Sequence, residues 1–288
     1  MNTPPVQMQE IVLEAGRMER HYWRDLWRYR ELFYFLAWRD LLVRYKQTFV
    51  GVAWSLIRPL LTMVVMTVVF GKFGKTPTGG VPYALLVFCG ILPWQFFATA
   101  LSESGNSLVA NSNLISKVYF PRLIVPASSI VTSFVDFIVS AVFLLALMGW
   151  YHFFPAPNLL AYVPPINILA LPLFVLLAGA TSLGAGLWIA ALMVAYRDFR
   201  IIVPFIVQFG FFVTPVAYMF PKQYEQWHLL YSLNPMVGVI EGFRWAILGG
   251  EHHLYWPGLC LSMVGTLGML VSGVWYFRRM ERTFADVI

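Results

Sequence analysis

Charge is scarce in this 288-residue chain: Asp, Glu, Lys and Arg together make up 12% of it. Cysteine is rarer still, with only Cys89 and Cys260, both inside apolar runs. Two such residues imply no disulfide framework, and neither has the spacing of a metal ligand. The first twenty residues lack an apolar stretch behind a basic start and carry Glu10, Glu14, Arg17, Glu19 and Arg20 instead. No cleavable signal peptide is expected there, and the N-terminus is expected in the cytoplasm.

Catalytic patterns are missing as well. Gly74-Lys75-Thr76 resembles the tail of a phosphate-binding loop, but the glycine required five positions earlier is Val69. There is no His-Glu-x-x-His helix and no Gly-x-Ser-x-Gly elbow. His252-His253 reads as a solvated loop pair, because adjacent residues point different ways on most backbones. The chain is therefore expected to be no enzyme, with no catalytic, cofactor or metal site of its own.

What the chain has is apolar length. Hydrophobic residues make up 59% and mean hydropathy is +0.68. Six runs are long enough, or nearly so, for the roughly 20 residues that cross a bilayer core of about 30 Å. They cover 51–70, 81–101, 123–151, 166–195, 201–220 and 256–277. With both termini inside, the cytoplasmic segments hold fifteen Lys and Arg and the outer segments four. This asymmetry sets the orientation and accounts for the net charge of +6 without nucleic acid. The expected organisation is a cytoplasmic N-terminus over 1–50, a six-span domain over 51–277 and a cytoplasmic tail over 278–288.

Residues 22–46 differ from the spans. Leu26, Tyr29, Phe33, Leu36, Ala37 and Leu41 recur every three to four positions, opposite Arg24, Arg28, Glu31, Arg39 and Lys46. Phe35 interrupts the polar stripe, and Trp23, Trp27 and Trp38 suit the headgroup level. The pattern predicts an amphipathic helix lying in the membrane interface. In the fourth run Ala178, Ser182 and Gly186, and likewise Ala180 and Gly184, repeat every four residues, which permits close helix packing within one chain or between two. Asn234-Pro235 predicts an N-cap and first helical residue for a short apolar helix ending at Gly249-Gly250. Too short to span, it either lies on the outer surface or dips in and returns.

Ionisable residues inside spans are functional candidates by default. Asp136 sits near the middle of the third run and Arg58 about two turns into the first. An ion pair between them is conceivable, although Arg58 lies nearer the cytoplasmic end. Asp136 is read as a polar contact in the bundle or a channel-facing group. The loop after the second run, Asn111 to Pro126, places Leu114, Ile115, Val118 and Tyr119 on one side of a short helix edged by Lys117 and Arg122. Such a helix either awaits a partner or folds back onto the membrane.

These stretches carry a resemblance. Tyr29–Leu61, the loop NLISKVYFPRLIVP (Asn113–Pro126), YRDF (Tyr196–Phe199), TPVAY (Thr214–Tyr218) and Asn234-Pro235-Met236 with Glu241 and Arg244 stand in the order found in ABC-transporter permeases that export polyprenyl-linked polysaccharides. The chain resembles that family over nearly its whole length. The resemblance implies an all-α membrane protein with six transmembrane helices, an N-terminal interface helix and short re-entrant outer helices before the last span. It implies a homodimer in the bacterial inner membrane with a glycan channel between subunits, and two copies of a separate cytoplasmic ATPase that binds ATP and Mg²⁺. Asn113, Leu114, Ile115, Lys117, Tyr119, Phe120 and Arg122 correspond to the coupling helix that contacts the ATPase. Tyr29, Arg30, Phe33, Trp38, Arg39, Arg44 and Tyr45 correspond to the helix at the cytoplasmic entrance. Arg58, Asp136, Tyr218, Glu241 and Arg244 are channel candidates. O-antigen, capsular polysaccharide and teichoic acid all remain open as cargo. A membrane transferase acting on polyprenyl lipids would need clustered acids or histidines at one face, and an ion-coupled carrier would need inverted repeats with broken midplane helices; neither pattern is seen.

Overall fold

A computed structural model describes residues 22–46, 49–74, 80–154, 162–220, 222–249, 253–282 and 284. The signal-peptide question, Lys75-Thr76, Pro155, Pro157, Gly250 and His252 lie outside the described residues. Among those described, every regular element is helical.

Two helices precede the bundle, α1 (Tyr22–Arg28) and α2 (Arg30–Lys46), separated by a turn at Tyr29. Leu36 and Ala37 are buried, Leu26, Tyr29, Phe33 and Leu41 half-buried, and Arg24, Arg28, Glu31 and Lys46 exposed. The two faces read from sequence are present except at Arg39, which is half-buried and bonds to Asn111. Trp23, Trp27, Phe35 and Trp38 project away from the protein.

Among the described residues, five helices are long and apolar enough to cross a membrane. The first is α3 (Phe49–Met66), which loosens into a π-helical turn over Thr67–Phe73. Then come α4 (Tyr83–Ala110), α6 (Ile124–Phe153), α7 (Leu171–Ala195, after a 3₁₀ turn at Ile166–Ala170) and α11 (Trp256–Met280). Between them lie the short α5 (Ser112–Lys117), α8 (Phe199–Val213), α9 (His228–Tyr231) and α10 (Pro235–Leu248). Helix α4 is central, with α6 and α7 packed along it and α11 packed on α7. Its first part, residues 83–101, is apolar nearly all round and almost wholly buried, as an enclosed helix requires. Glu103 and Asn106 in the rest of it are exposed.

The small residues of α7 act inside the chain. Ala178 and Ser182 are fully buried. A Cβ on Gly184 would sit 2.7 Å from the Leu270 nitrogen, and one on Gly273 2.3 Å from the Gly184 carbonyl oxygen. Helices α7 and α11 therefore cross backbone to backbone, where lipid offers no hydrophobic drive and dispersion needs contact.

The fifth run differs from its sequence reading. A helix over 201–220 was expected, but α8 stops at Val213 after 15 residues. At about 1.5 Å per residue it covers about 22 Å, short of a bilayer core. Pro215 explains the stop: it cannot donate to a helix and it pushes Thr214 out of the α region, to φ −89° and ψ 145°. The chain continues irregularly, with Val216 and Ala217 buried.

One apolar cluster joins Tyr22 of α1, Leu36 of α2, Leu108 of α4, Ile115 of α5, Leu187 and Ala190 of α7, Phe277 of α11 and Phe284. The N-terminal helices, the α4–α6 connection and the ends of α7 and α11 thus gather at one end of the bundle. The larger cluster fills the middle and the other end, where α10 inserts Val239, Ile240, Phe243 and Ile247. The Asn234 side chain caps α10 by accepting from Met236 N–H at 3.1 Å, and Gly249 closes it at φ +57°.

Candidate functional site

Three constellations carry the polar chemistry. The first is the connection between α4 and α6. Helix α5 ends at Lys117 and Val118 is extended, so the single face expected across Leu114–Tyr119 is split. Ile115 and Phe120 are 4% and 3% exposed and anchor the segment in the end cluster. Val118 and Tyr119 are 50% and 48% exposed, beside exposed Asn113 and Lys117. Buried anchors thus hold a basic and apolar ridge up to solvent. Leu114 is half-buried against the same cluster.

Arg122 is fixed by the last helix. Its backbone N–H donates to Glu281 Oε1 at 2.8 Å and its guanidinium donates to the Glu281 carbonyl at 2.7 Å. Tyr22 donates to the same carboxylate at 3.5 Å. Burial, and then this carboxylate, push the Tyr22 phenol above its ordinary range and keep it a donor. Sequence reasoning missed Glu281; the one available signal was a lone acid among Arg278, Arg279 and Arg282.

The second constellation ties α2 to the bundle. Arg39 donates to Asn111 Oδ1 at 2.7 Å and to Asp40. Arg44 pairs with Asp136 at 2.7 Å and with Glu103 at 3.2 Å. The Tyr45 hydroxyl donates to Asp136 at 2.5 Å, and burial together with this bond pushes its phenol up. Asp136 is therefore partnered by α2, where the sequence had suggested Arg58. Arg58 lines the same cavity, about 190 Å³, with Gln95, Ser133 and Ser140. Ser129, Ser133, Asp136 and Ser140 recur at helical spacing on α6, a polar stripe that was legible in the sequence. Of the other candidates in α2 and the turn before it, Tyr29 and Phe33 pack on the end cluster, Arg30 lies over Trp27, and Trp38 stacks on Tyr34.

The third lies at the opposite end. Arg244 is buried and donates to the Val216 and Tyr218 carbonyls at 2.7 and 2.8 Å, holding the irregular segment after α8. Glu241 bonds His228 Nε2 at 2.7 Å, and the His228 ring is stacked between Phe220 and Tyr255. The Tyr218 and Tyr231 hydroxyls are 2.7 Å apart. Arg244 and Glu241 are thus braces within the chain, while Tyr218 remains half-exposed.

The profile of the family described as ABC-2 type transporter matches residues 31–248. That stretch contains the first two constellations apart from Tyr22, Trp27, Tyr29, Arg30 and Glu281, and the third apart from Tyr255. The chain is 29% identical to "O-antigen export system permease protein RfbA" of Myxococcus xanthus over 270 residues, covering 92% of this chain and 98% of that protein. It is 26% identical to the Klebsiella pneumoniae protein of the same name over 256 residues, covering 87% and 92%. It is 24% identical to "Polysialic acid transport protein KpsM" of Escherichia coli over 253 residues, covering 84% and 91%.

Proposed function

The chain belongs to the ABC-2 type transporter family, and from that premise we propose that it is the membrane half of an ATP-driven exporter of a polyprenyl-linked polysaccharide, an O-antigen. The observation that carries this reading is the anchored ridge Lys117-Val118-Tyr119. A short segment fixed by Ile115, Phe120 and the Arg122–Glu281 bonds, with an apolar and basic edge left uncovered, suits the docking of a second protein. That protein is a separate cytoplasmic ATPase, two copies for two permease chains, which binds the ATP and Mg²⁺.

The placement of the ends supports six crossings with both termini in the cytoplasm of the inner-membrane cell. Helices α1 and α2, the α4–α6 connection, the end of α7 and the end of α11 share one end of the bundle. For α11 to begin at the opposite end, the chain must return there after α7, through α8 and the irregular segment held by Arg244. The basic residues of 22–46, of α5 and of α11 fall on the shared side.

A passage between two copies is supported by what α3 and α8 leave uncovered. Arg58 and Gln208 are exposed on membrane-spanning elements. Lipid is a poor neighbour for either, whereas a water-filled path between chains suits both. Aromatic side chains, 17% of the chain, offer sugar rings flat faces along which they can slide. The similarity to KpsM keeps a capsular polysaccharide as the second reading.

The test is export in cells with and without the partner ATPase. Surface display of the glycan is expected to require both proteins, and the isolated chain is expected to hydrolyse no ATP. Export that continues in cells lacking the ATPase overturns the reading.

A further inference from the structure

A groove of about 620 Å³ runs between α1 and the last turns of α11. We propose that it is a binding site for an anionic phospholipid, whose acyl chain lies on α11 and whose phosphate is held by Arg278, Arg279 and Arg282. The site is separate from the cleft of Arg44 and Asp136. That cleft is built by α2, α3, α4 and α6, whereas α11 packs on α7 and α10.

The floor of the groove is Leu270, Val271 and Val274, within the apolar part of the span. Val271 is 61% exposed, a surface that suits hydrocarbon and not water. Trp23 on one wall and Trp275 on the other are both exposed and mark headgroup depth.

Above this floor the lining turns basic. Three guanidiniums converge there and none of the described lining residues is acidic. The nearby Glu281 directs its carboxylate to Arg122 N–H and the Tyr22 hydroxyl and also feels the charge of Arg278, so the excess positive charge of the groove rests on Arg279 and Arg282. Arg278 is oriented by the Tyr22 ring, 4.3 Å from its centroid, and Arg279 by Trp275 at 5.6 Å. Guanidinium groups fixed in this way match phosphate oxygens in pairs.

The positive-inside rule accounts for three arginines after a span, but not for their meeting over an apolar groove closed by a second helix. A basic pocket beside transmembrane helices is the known form of anionic headgroup recognition. A second copy of the chain would bring like charges together here, and a soluble protein would leave Val271 facing water. The phospholipid satisfies floor, walls and charge at once. It would also pin α1 to α11, next to the residues that hold Arg122.

The experiment uses the purified full chain, delipidated in detergent and mixed with equal amounts of cardiolipin, phosphatidylglycerol and phosphatidylcholine before native mass spectrometry. At least fivefold more anionic lipid than phosphatidylcholine is expected to stay bound. Arg279→Ala with Arg282→Ala is expected to cut that retention at least fivefold, Arg279→Lys with Arg282→Lys to keep more than half, and Arg197→Ala with Arg200→Ala to change nothing. A photoreactive phosphatidylglycerol, which needs no variant, is expected to label peptides covering residues 270–282. Equal retention of all three lipids, labelling confined to other helices, or an equal loss in the Arg197 and Arg200 variant overturns the proposal. So does displacement of the phospholipid by an equal amount of polyprenyl diphosphate, which would make the groove a cargo site.

Discussion

Arg122 and Glu281, 159 residues apart, hold each other by two hydrogen bonds, one from the Arg122 backbone N–H at 2.8 Å and one from its guanidinium at 2.7 Å. The pair fastens the start of α6 to the end of α11. Glu281→Ala removes the carboxylate that accepts from Arg122 N–H and Tyr22. An unpaired buried donor costs about 1–3 kcal/mol. A lower melting temperature in detergent and weaker export are expected, and unchanged values would show that the bonds do not bear on the segment.

Glu281 also predicts a pH dependence. Burial holds its carboxyl above the usual range, against the opposing pull of the Arg122 N–H and the Tyr22 hydroxyl. For a raised carboxyl pKa, the stability it contributes is complete below the unfolded value, about 4.3. That stability is lost as pH rises through the folded value. Wild-type melting temperature is expected to fall over that interval relative to Glu281→Gln, which cannot ionise. Parallel pH profiles for the two proteins would refute this.

Asp136 joins α2 to the bundle through Arg44 and Tyr45. Breaking a buried pair costs roughly 3–5 kcal/mol. Arg44 is partly exposed, so a loss of about 1–3 kcal/mol is the scale for Asp136→Ala. Faster tryptic cleavage at Arg39 and Arg44 is expected in the variant, and the exchange Arg44→Asp with Asp136→Arg should recover part of the protection. Cleavage at the wild-type rate would show that α2 is held by its apolar face alone.

Gly184 has no room for a side chain against the backbone of α11. Gly184→Val is expected to cost more than about 3 kcal/mol, as overpacking against a rigid backbone does, and to abolish a monodisperse elution profile. Gly268→Ala, on the same α11 with nothing within 4 Å of the added Cβ, is expected to elute normally.

Lys117 and Tyr119 are exposed and brace nothing that the fold needs. Lys117→Glu with Tyr119→Ala is expected to leave melting within about 0.5 kcal/mol of wild type. Export should nevertheless fall at least tenfold, with the ATPase no longer co-purifying. Co-purification at wild-type yield would remove this ridge from the docking surface.

Membrane integration, the amphipathic N-terminal helix and the capped α10 were legible in the sequence. Each rests on a local signal: apolar length, 3.6-residue periodicity, and an Asn-Pro start with a glycine stop. The anchored connection was legible in part. Its position and a short helix edged by Lys117 were read, but the exposure of Tyr119 and the burial of Ile115 and Phe120 were not, because they depend on Leu187 and Phe277 from distant helices. Arg244 and Glu241 stood out in the sequence as candidate channel groups, and the fold adds that each braces a neighbouring segment. Their partners, the Val216 and Tyr218 carbonyls and His228, are set by chain folding over 13 to 28 residues.

The sequence by itself determined that this chain lives in a bilayer, because apolar length and the placement of arginines act residue by residue on transfer free energy. Tertiary structure alone decided which cation holds Asp136 and that Glu281 closes the far end of the chain onto Arg122. Those outcomes depend on which groups meet once helices have packed, and no periodicity within one segment encodes a hydrogen bond to another 159 residues away.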